Sequence, residues 1–245
     1  MRNLKIIVEY DGSGYHGWQR QKGFTTVQQI LEESISRITR EKITVAGSGR
    51  TDAGVHALNQ SAHFKTASSI GARNLLLGIN SLLPPGVVVK ELKEMDELFH
   101  ARFDVKSKVY MYQIFNNPVR SALYRNYAWH VRAPLDFCNM EKGLSLLNGI
   151  HDFSSFCGKK EDDLSCIRTI KESRLEKADG NFIRIFIEAD GFLRYMLRSI
   201  VGTLVEIGER KRNADDLPDI LAAKDRSRAG ITAPPQGVFL MEVKY

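Results

Sequence analysis

The chain opens on an alternation of apolar and polar positions, Leu4-Lys5-Ile6-Ile7-Val8-Glu9-Tyr10, which predicts a strand ended by the turn residues Asp11-Gly12-Ser13-Gly14. From about Thr26 the period changes: Val27, Ile30, Leu31, Ile35 and Ile38 form one helical stripe, and Thr26-x-x-Gln29 has the form of a capping box. A short strand near Ile43-Thr44-Val45 then leads into the glycine-bearing loop Gly47-Ser48-Gly49-Arg50-Thr51-Asp52-Ala53-Gly54. A strand around residues 60–64 and a helix around 72–82 follow. Pro84-Pro85-Gly86 breaks that helix, and Val87-Val88-Val89 opens the next strand.

The second half predicts the same order. A strand near 108–115 carries Tyr110, Tyr112 and Ile114 on one face, and Asp136 caps a helix bearing Phe137, Met140, Leu144 and Leu147. Strands follow near 167–175 and 182–188, then a long helix from about Phe192 that buries Leu193, Leu197, Ile200, Leu204 and Ile207. An extra helix near 217–223 precedes a last strand at 238–243. Each half thus reads β-α-β-β-α-β, the split-βαβ order that packs a four-stranded antiparallel sheet on two helices. The expected fold class is α+β: two ferredoxin-like (RNA-recognition-like) halves, residues 1–100 and 101–245, duplicated in pattern but not letter by letter. With no Gly/Ser linker between them, the halves are expected to join into one mixed, mainly antiparallel sheet flanked by helices, with a central cleft.

Composition narrows the class. Hydrophobic residues make up 43% of the 245 and charged residues 26%, the balance of a globular chain. The longest uncharged stretch, Asn74 to Val89, holds two prolines and two asparagines and is not a membrane span. The opening Met1-Arg2-Asn3-Leu4-Lys5 runs straight into the first strand, so no signal peptide is expected. Three cysteines without a CxxC pair argue against a disulfide framework or a cysteine-built zinc site and fit a reducing cytoplasm. Basic residues exceed acidic ones by 12 to 10 in residues 1–100 and by 23 to 19 in the rest, which permits a polyanionic partner without requiring one.

Four segments carry candidate chemistry. In Gly49-Arg50-Thr51-Asp52-Ala53-Gly54-Val55-His56 a carboxylate sits between an arginine and glycines; it reads equally as a turn or as a site that a ligand approaches closely. The loop Tyr10 to Lys22 interleaves aromatic, basic and amide groups in a glycine-rich setting suited to bases and phosphates, unless Tyr15 and Trp18 tuck into the core. Tyr110 lies on a strand, where tyrosines usually belong to the core. Arg194 and Arg198, four apart, are expected on the solvent side of the long helix. His56 and His63 match no metal-ligand spacing, and no P-loop, G-x-S-x-G or G-x-G-x-x-G is present. Chemistry therefore has to run on a carboxylate, arginines and tyrosines, with neither metal nor cofactor.

Together these segments resemble the tRNA pseudouridine synthase A family over essentially the whole chain. The matches are Tyr10-Asp11-Gly12 with Gly17-Trp18-Gln19, the Gly49 to His56 segment, Phe99-His100-Ala101-Arg102-Phe103, Lys108-x-Tyr110-x-Tyr112, Asp152-Phe153 with Ser155-Phe156, Met196-x-Arg198-x-Ile200-Val201-Gly202, and Ala222-Ala223-Lys224-Asp225-Arg226. The resemblance implies a cofactor-free isomerase that flips uridine out of the tRNA anticodon stem-loop (positions 38, 39 and 40) and converts it to pseudouridine. It also implies a homodimer. Asp52 falls on the family's catalytic aspartate, Tyr110 on the tyrosine that packs on the base, and Arg198 on the arginine that pairs with the aspartate. Arg50 keeps its place two residues before Asp52. Ser199 and Arg194-Tyr195 depart from the usual residues. A non-catalytic RNA-binding protein would need no lone carboxylate amid arginines, and a small-molecule enzyme would have no use for the basic aromatic loop.

Overall fold

The computed structural model describes residues 1–158 and 165–245. These form two compact units, one of Met1–Lys106 with Phe239–Tyr245 and one of Ser107–Val238. In the first, β1 (Arg2–Tyr10), α1 (Val27–Thr39), β2 (Ala46–Gly47), β3 (His56–Thr66), α2 (Ala72–Leu82) and β4 (Val87–Met95) follow one another in the β-α-β-β-α-β order. Strand β1 lies between β3 and β4, antiparallel to both, with Ile6 opposite Ala62 and Leu92. The other edge of β3 is shared: β2 pairs with Ala62 and His63, and β10 (Val238–Lys244) runs parallel against His56 and Ala57.

Alternation explains β1, whose Leu4, Ile6, Val8 and Tyr10 are buried while the residues between face outward. Val27, Leu31 and Ile35 of α1 are fully buried, each such side chain contributing about 1.5–3 kcal/mol. Thr26 caps α1 by accepting from Gln29 N at 3.4 Å, half of the expected capping box, and Gln29 Nε2 donates along the helix to Glu33 Oε1. Strand β2 is displaced from the expected position at Ile43–Val45. There Ile43 N is taken by Ser36 Oγ and Val45 N by Glu32 Oε1, so side chains of α1 occupy the donors that a strand partner would need.

In the second unit, β5 (Ser107–Asn116) pairs with β9 (Phe182–Ala189), β9 with β8 (Ile167–Ala178), and β8 with β7 (Gly149–Asp152), all antiparallel. The short β6 (Trp129–Val131) runs parallel to the end of β5. Strands β6 and β7 were not expected; at three and four residues they are too short to show a period. Helix α3 (Phe137–Ser145) starts at Asp136, whose carboxylate accepts from Asn139 N as expected. Helix α4 (Met196–Gly208) starts four residues later than its apolar run predicts, because Tyr195 takes a left-handed backbone, φ 63°. α5 (Leu217–Ala223) completes an α+β fold in which the described pairings are antiparallel except β3–β10 and β5–β6. Among the described residues no helix is long and apolar enough to cross a membrane.

Candidate functional site

Asp52 sits half-buried in the loop between β2 and β3, and that loop is pinned along its length. At its start Ser48 N bonds Ser61 O at 2.8 Å, and Ser48 Oγ and Gly49 O both engage the buried Gln60 amide. At its centre Thr51 O accepts from Trp18 N at 3.1 Å, and Thr51 Oγ1 lies 2.8 Å from Tyr10 Oη. Beyond Asp52, Val55 N returns to Asp52 O and Gly54 N reaches Tyr15 O. Gly17 makes this close approach possible. Its φ is +83°, and a Cβ there would stand 2.5 Å from Thr51 O. Trp18 is buried at 1% exposure, so the aromatic loop serves partly as a wall behind the aspartate loop.

Arg50 is exposed and its Nε donates to Gln19 Oε1 at 3.1 Å. From Gln19 a polar chain runs inward: Gln19 Nε2 to Gln28 Oε1, Gln28 Nε2 to Glu32 Oε1, and Arg20 Nη1 to Glu32 Oε2, each at 2.8–3.0 Å. Gln28 and Glu32 are buried at 8% and 6% exposure, and their bonds to Val45 O and from Val45 N complete the set. Arg20, a basic residue of the Tyr10 to Lys22 loop that the sequence suits to phosphates, thus already compensates a buried carboxylate. Sequence reasoning missed Gln28 and Glu32. The available signal was a polar i, i+4 pair beside the apolar stripe of α1.

His56 is structural in its contacts. It is 2% exposed, accepts from Gly12 N at Nδ1, and stacks on Phe239 at 4.7 Å.

The second unit carries Tyr110 and Arg198. Tyr110 is 8% exposed on β5, meeting Phe192 edge-to-face at 4.8 Å between centroids. Two residues on, Tyr112 is wholly buried and donates to Pro234 O; burial pushes its phenol well above the usual range, the nearby Arg198 opposing. Arg198 is half-buried rather than solvated: its Nε donates to Ala233 O at 2.7 Å, and its guanidinium lies 4.9 Å from the Tyr195 ring centre. Arg194 precedes α4 rather than sharing a helical face with Arg198, and is exposed. Ser199 is fully buried, so this departure from the family pattern is no surface for RNA. Among the described residues no three His, Cys, Asp or Glu side chains gather as metal ligands would.

Comparison with known proteins gives a concordant result. The model of a family described as tRNA pseudouridine synthase matches residues 6–104 and 144–245. The chain is 47% identical over 245 residues to tRNA pseudouridine synthase A of Thermoanaerobacter sp. (strain X514), covering all of both chains. Over the same full lengths it is 45% identical to the proteins of that name from Acetivibrio thermocellus and Brevibacillus brevis.

Proposed function

The chain belongs to the tRNA pseudouridine synthase family, isomerases that convert uridine to pseudouridine in tRNA, and on that premise we propose that it acts on positions 38, 39 and 40 of the anticodon stem-loop. Asp52 is the catalytic group, Tyr110, Arg50 and Arg198 bind substrate, and no cofactor takes part. The enzyme works as a homodimer in the cytoplasm. The observation that carries the reading is the mount of Asp52: a half-buried carboxylate in a loop whose backbone is held before, at and after it. A carboxylate serves as nucleophile or base only where it is ionised and held against its target.

The reaction breaks the N1–C1′ bond, turns the base and joins C5 to C1′. Those atoms are hidden in a stacked stem-loop, so the nucleotide has to be flipped out, at a cost of a few kcal/mol. A tyrosine ring stacks on a freed uracil without depending on its hydrogen-bonding edge, which lets the base rotate while held. Guanidinium groups supply phosphate and carbonyl contacts with a fixed plane. At Arg50 that plane is set by Gln19, and behind it by the Gln28–Glu32 pair. Lys22 and Phe24, exposed on the turn that follows Arg20, border an open depression of about 520 Å3 and offer charge and a ring to the RNA strand.

The test is tritium release from tRNA labelled at uridine C5. Wild type should release it, and tRNA with cytidine at 38–40 should yield none. Asp52→Asn should abolish release while tRNA affinity stays within about threefold, since binding rests on phosphate contacts. Turnover of Asp52→Asn at a tenth of wild type would remove Asp52 from the catalytic role.

A further inference from the structure

The pairing of β5 with β9 sorts residues onto the two faces of the second unit's sheet. Tyr112 and Ile114, opposite Ile185 and Ile183, are buried on one face. The alternate positions pair Gln113 with Arg184 and Phe115 with Phe182 on the other. There three rings meet. Tyr124 and Phe182 are edge-to-face at 4.8 Å between centroids, and Phe115 lies 5.3 Å from Phe182 and 6.1 Å from Tyr124. Phe182 is buried, whereas Tyr124 keeps 43% of its surface exposed. Gln113, Tyr124, Phe182 and Arg184, with the turn at 177–179, border an open depression of about 470 Å3.

The charge at this depression is positive and unspent. Gln113 is buried, donates from Nε2 to Tyr127 O at 3.0 Å and accepts at Oε1 from Arg184 Nε at 2.9 Å. The half-buried Arg184 is thus held at Nε by a neutral amide, and its terminal nitrogens make no hydrogen bond or ion pair to any described residue. Glu176 lies opposite Arg184 across the strands, but its carboxylate accepts from Arg174 Nε at 2.6 Å. Asp179, exposed at the turn, is the acid among the lining residues. The chain that frames the site is of one sign: residues 105–135 hold Lys106, Lys108, Arg120, Arg125 and Arg132 and no acidic residue. Arg120 and Arg125 are exposed on the segment that carries Tyr124.

We propose that this depression binds an unpaired nucleotide of tRNA other than the uridine being isomerised, its base stacked on the Tyr124 ring and its phosphate held by the terminal nitrogens of Arg184. The premise is tRNA as the substrate of the family; the roles of Asp52, Tyr110 and Arg198 do not enter. A tyrosine braced by two other rings meets a base with little freedom left to lose, and stacking on it tolerates any base. A guanidinium oriented by a neutral amide keeps its whole charge for a phosphate, which it can grip with two nitrogens in one plane. Rings and arginines on the open face of a sheet are the means by which proteins hold splayed-out RNA bases. The exposed Val119 and Leu123 beside them would suit a protein partner, but the single sign of charge around the site favours a polyanion.

The experiment measures binding of full-length tRNA by filter retention over a series of salt concentrations, together with the thermal midpoint and sedimentation of the free protein, for wild type, Tyr124→Phe, Tyr124→Ser and Arg184→Gln. Tyr124→Phe keeps the stacking ring and should hold its affinity within about twofold of wild type. Tyr124→Ser should weaken binding about fivefold or more at an unchanged salt slope. Arg184→Gln should weaken binding and lower the slope of log affinity against log salt by about 1, the loss of one phosphate contact. Should Tyr124→Ser fail to fold, Arg184→Gln decides, because the slope counts phosphate contacts and a merely structural arginine would leave it unchanged. Wild-type affinity and slope in both variants would overturn the inference. So would affinity that falls only in step with the thermal midpoint while the Arg184→Gln slope stays at the wild-type value. A change of sedimentation in the same variants, with the slope unchanged, would assign the face to a second copy of the chain and overturn it as well.

Discussion

In the first unit Asp52 is carried by a loop whose main chain is bonded to Trp18 and Tyr15, whose Thr51 hydroxyl meets Tyr10 Oη, and which touches the backbone at Gly17. In the second, Arg198 is carried by a helix, and the contacts of its side chain include the Ala233 carbonyl and the Tyr195 ring. The carboxylate is short, so fixing its backbone nearly fixes its oxygens. The arginine has four torsions between backbone and charge, and holding the helix leaves them open; the side chain itself has to be gripped. Perturbing the two mounts should therefore do different things, structural damage in one and lost alignment in the other.

Two glycines give the sharpest contrast. Gly17→Ala puts a Cβ into a backbone oxygen at a positive φ, where nothing nearby yields cheaply. It should cost about 2–4 kcal/mol in urea unfolding and most of the activity. Gly158→Ala meets Cδ2 of the Tyr195 ring at 2.2 Å, a side chain that yields more readily than backbone. It should cost about 1–2 kcal/mol, less than Gly17→Ala, and lower turnover by displacing the ring beside Arg198. Equal stability losses in the two variants would break the comparison.

Next in size is the polar chain behind Arg50. Glu32→Ala takes the acceptor from Val45 N and one acceptor each from Gln28 and Arg20 and should destabilise by about 1–3 kcal/mol, with Glu32→Gln recovering part. If these groups position Arg50 as well as support the fold, Gln19→Leu should lower turnover with little change in the unfolding midpoint. Normal turnover in Gln19→Leu would confine the chain to structure.

The smallest effect separates the units by pH. In the first, burial chiefly holds His63 below its ordinary 6.5, the charges of His100 and Lys65 acting the same way against the Ala46 carbonyl and Asp104. The unfolded chain then takes up the proton more readily, so this contribution is present above about pH 6.5 and is lost as pH falls below it. In the second unit, burial alone would raise Glu206, but bonds from Arg212 and Ile231 N and the charges of Arg212 and Lys211 bring it below its ordinary 4.5. Its contribution is present above about pH 4.5 and lost only as pH falls further. Amide exchange should show the first unit loosening earlier on acidification, and His63→Gln should flatten that early slope. Simultaneous loosening of both units above pH 5 would contradict it.

What the sequence determined by itself was local. Alternation placed β1, β5 and β9, the apolar stripes placed α1 and α3, and Thr26 and Asp136 marked helix starts, because period and capping are interactions between near neighbours. The Gly49 to His56 segment offered Asp52 as a candidate for the same reason, reading equally as a turn or a site until the resemblance of the whole chain to a family was added. Tertiary structure decided the rest. Ile43–Val45 lost its strand to side chains of α1, Gln28 and Glu32 became the support behind Arg50, and Tyr195 turned left-handed against Gly158, delaying α4 to Met196. Each of these sets a local preference against partners far along the chain: β2 and α4 begin away from where their own residues point, and Tyr195 keeps a backbone its side chain disfavours. Such contests are settled by packing and by which buried polar groups find partners, and neither is written in the spacing of residues along the chain.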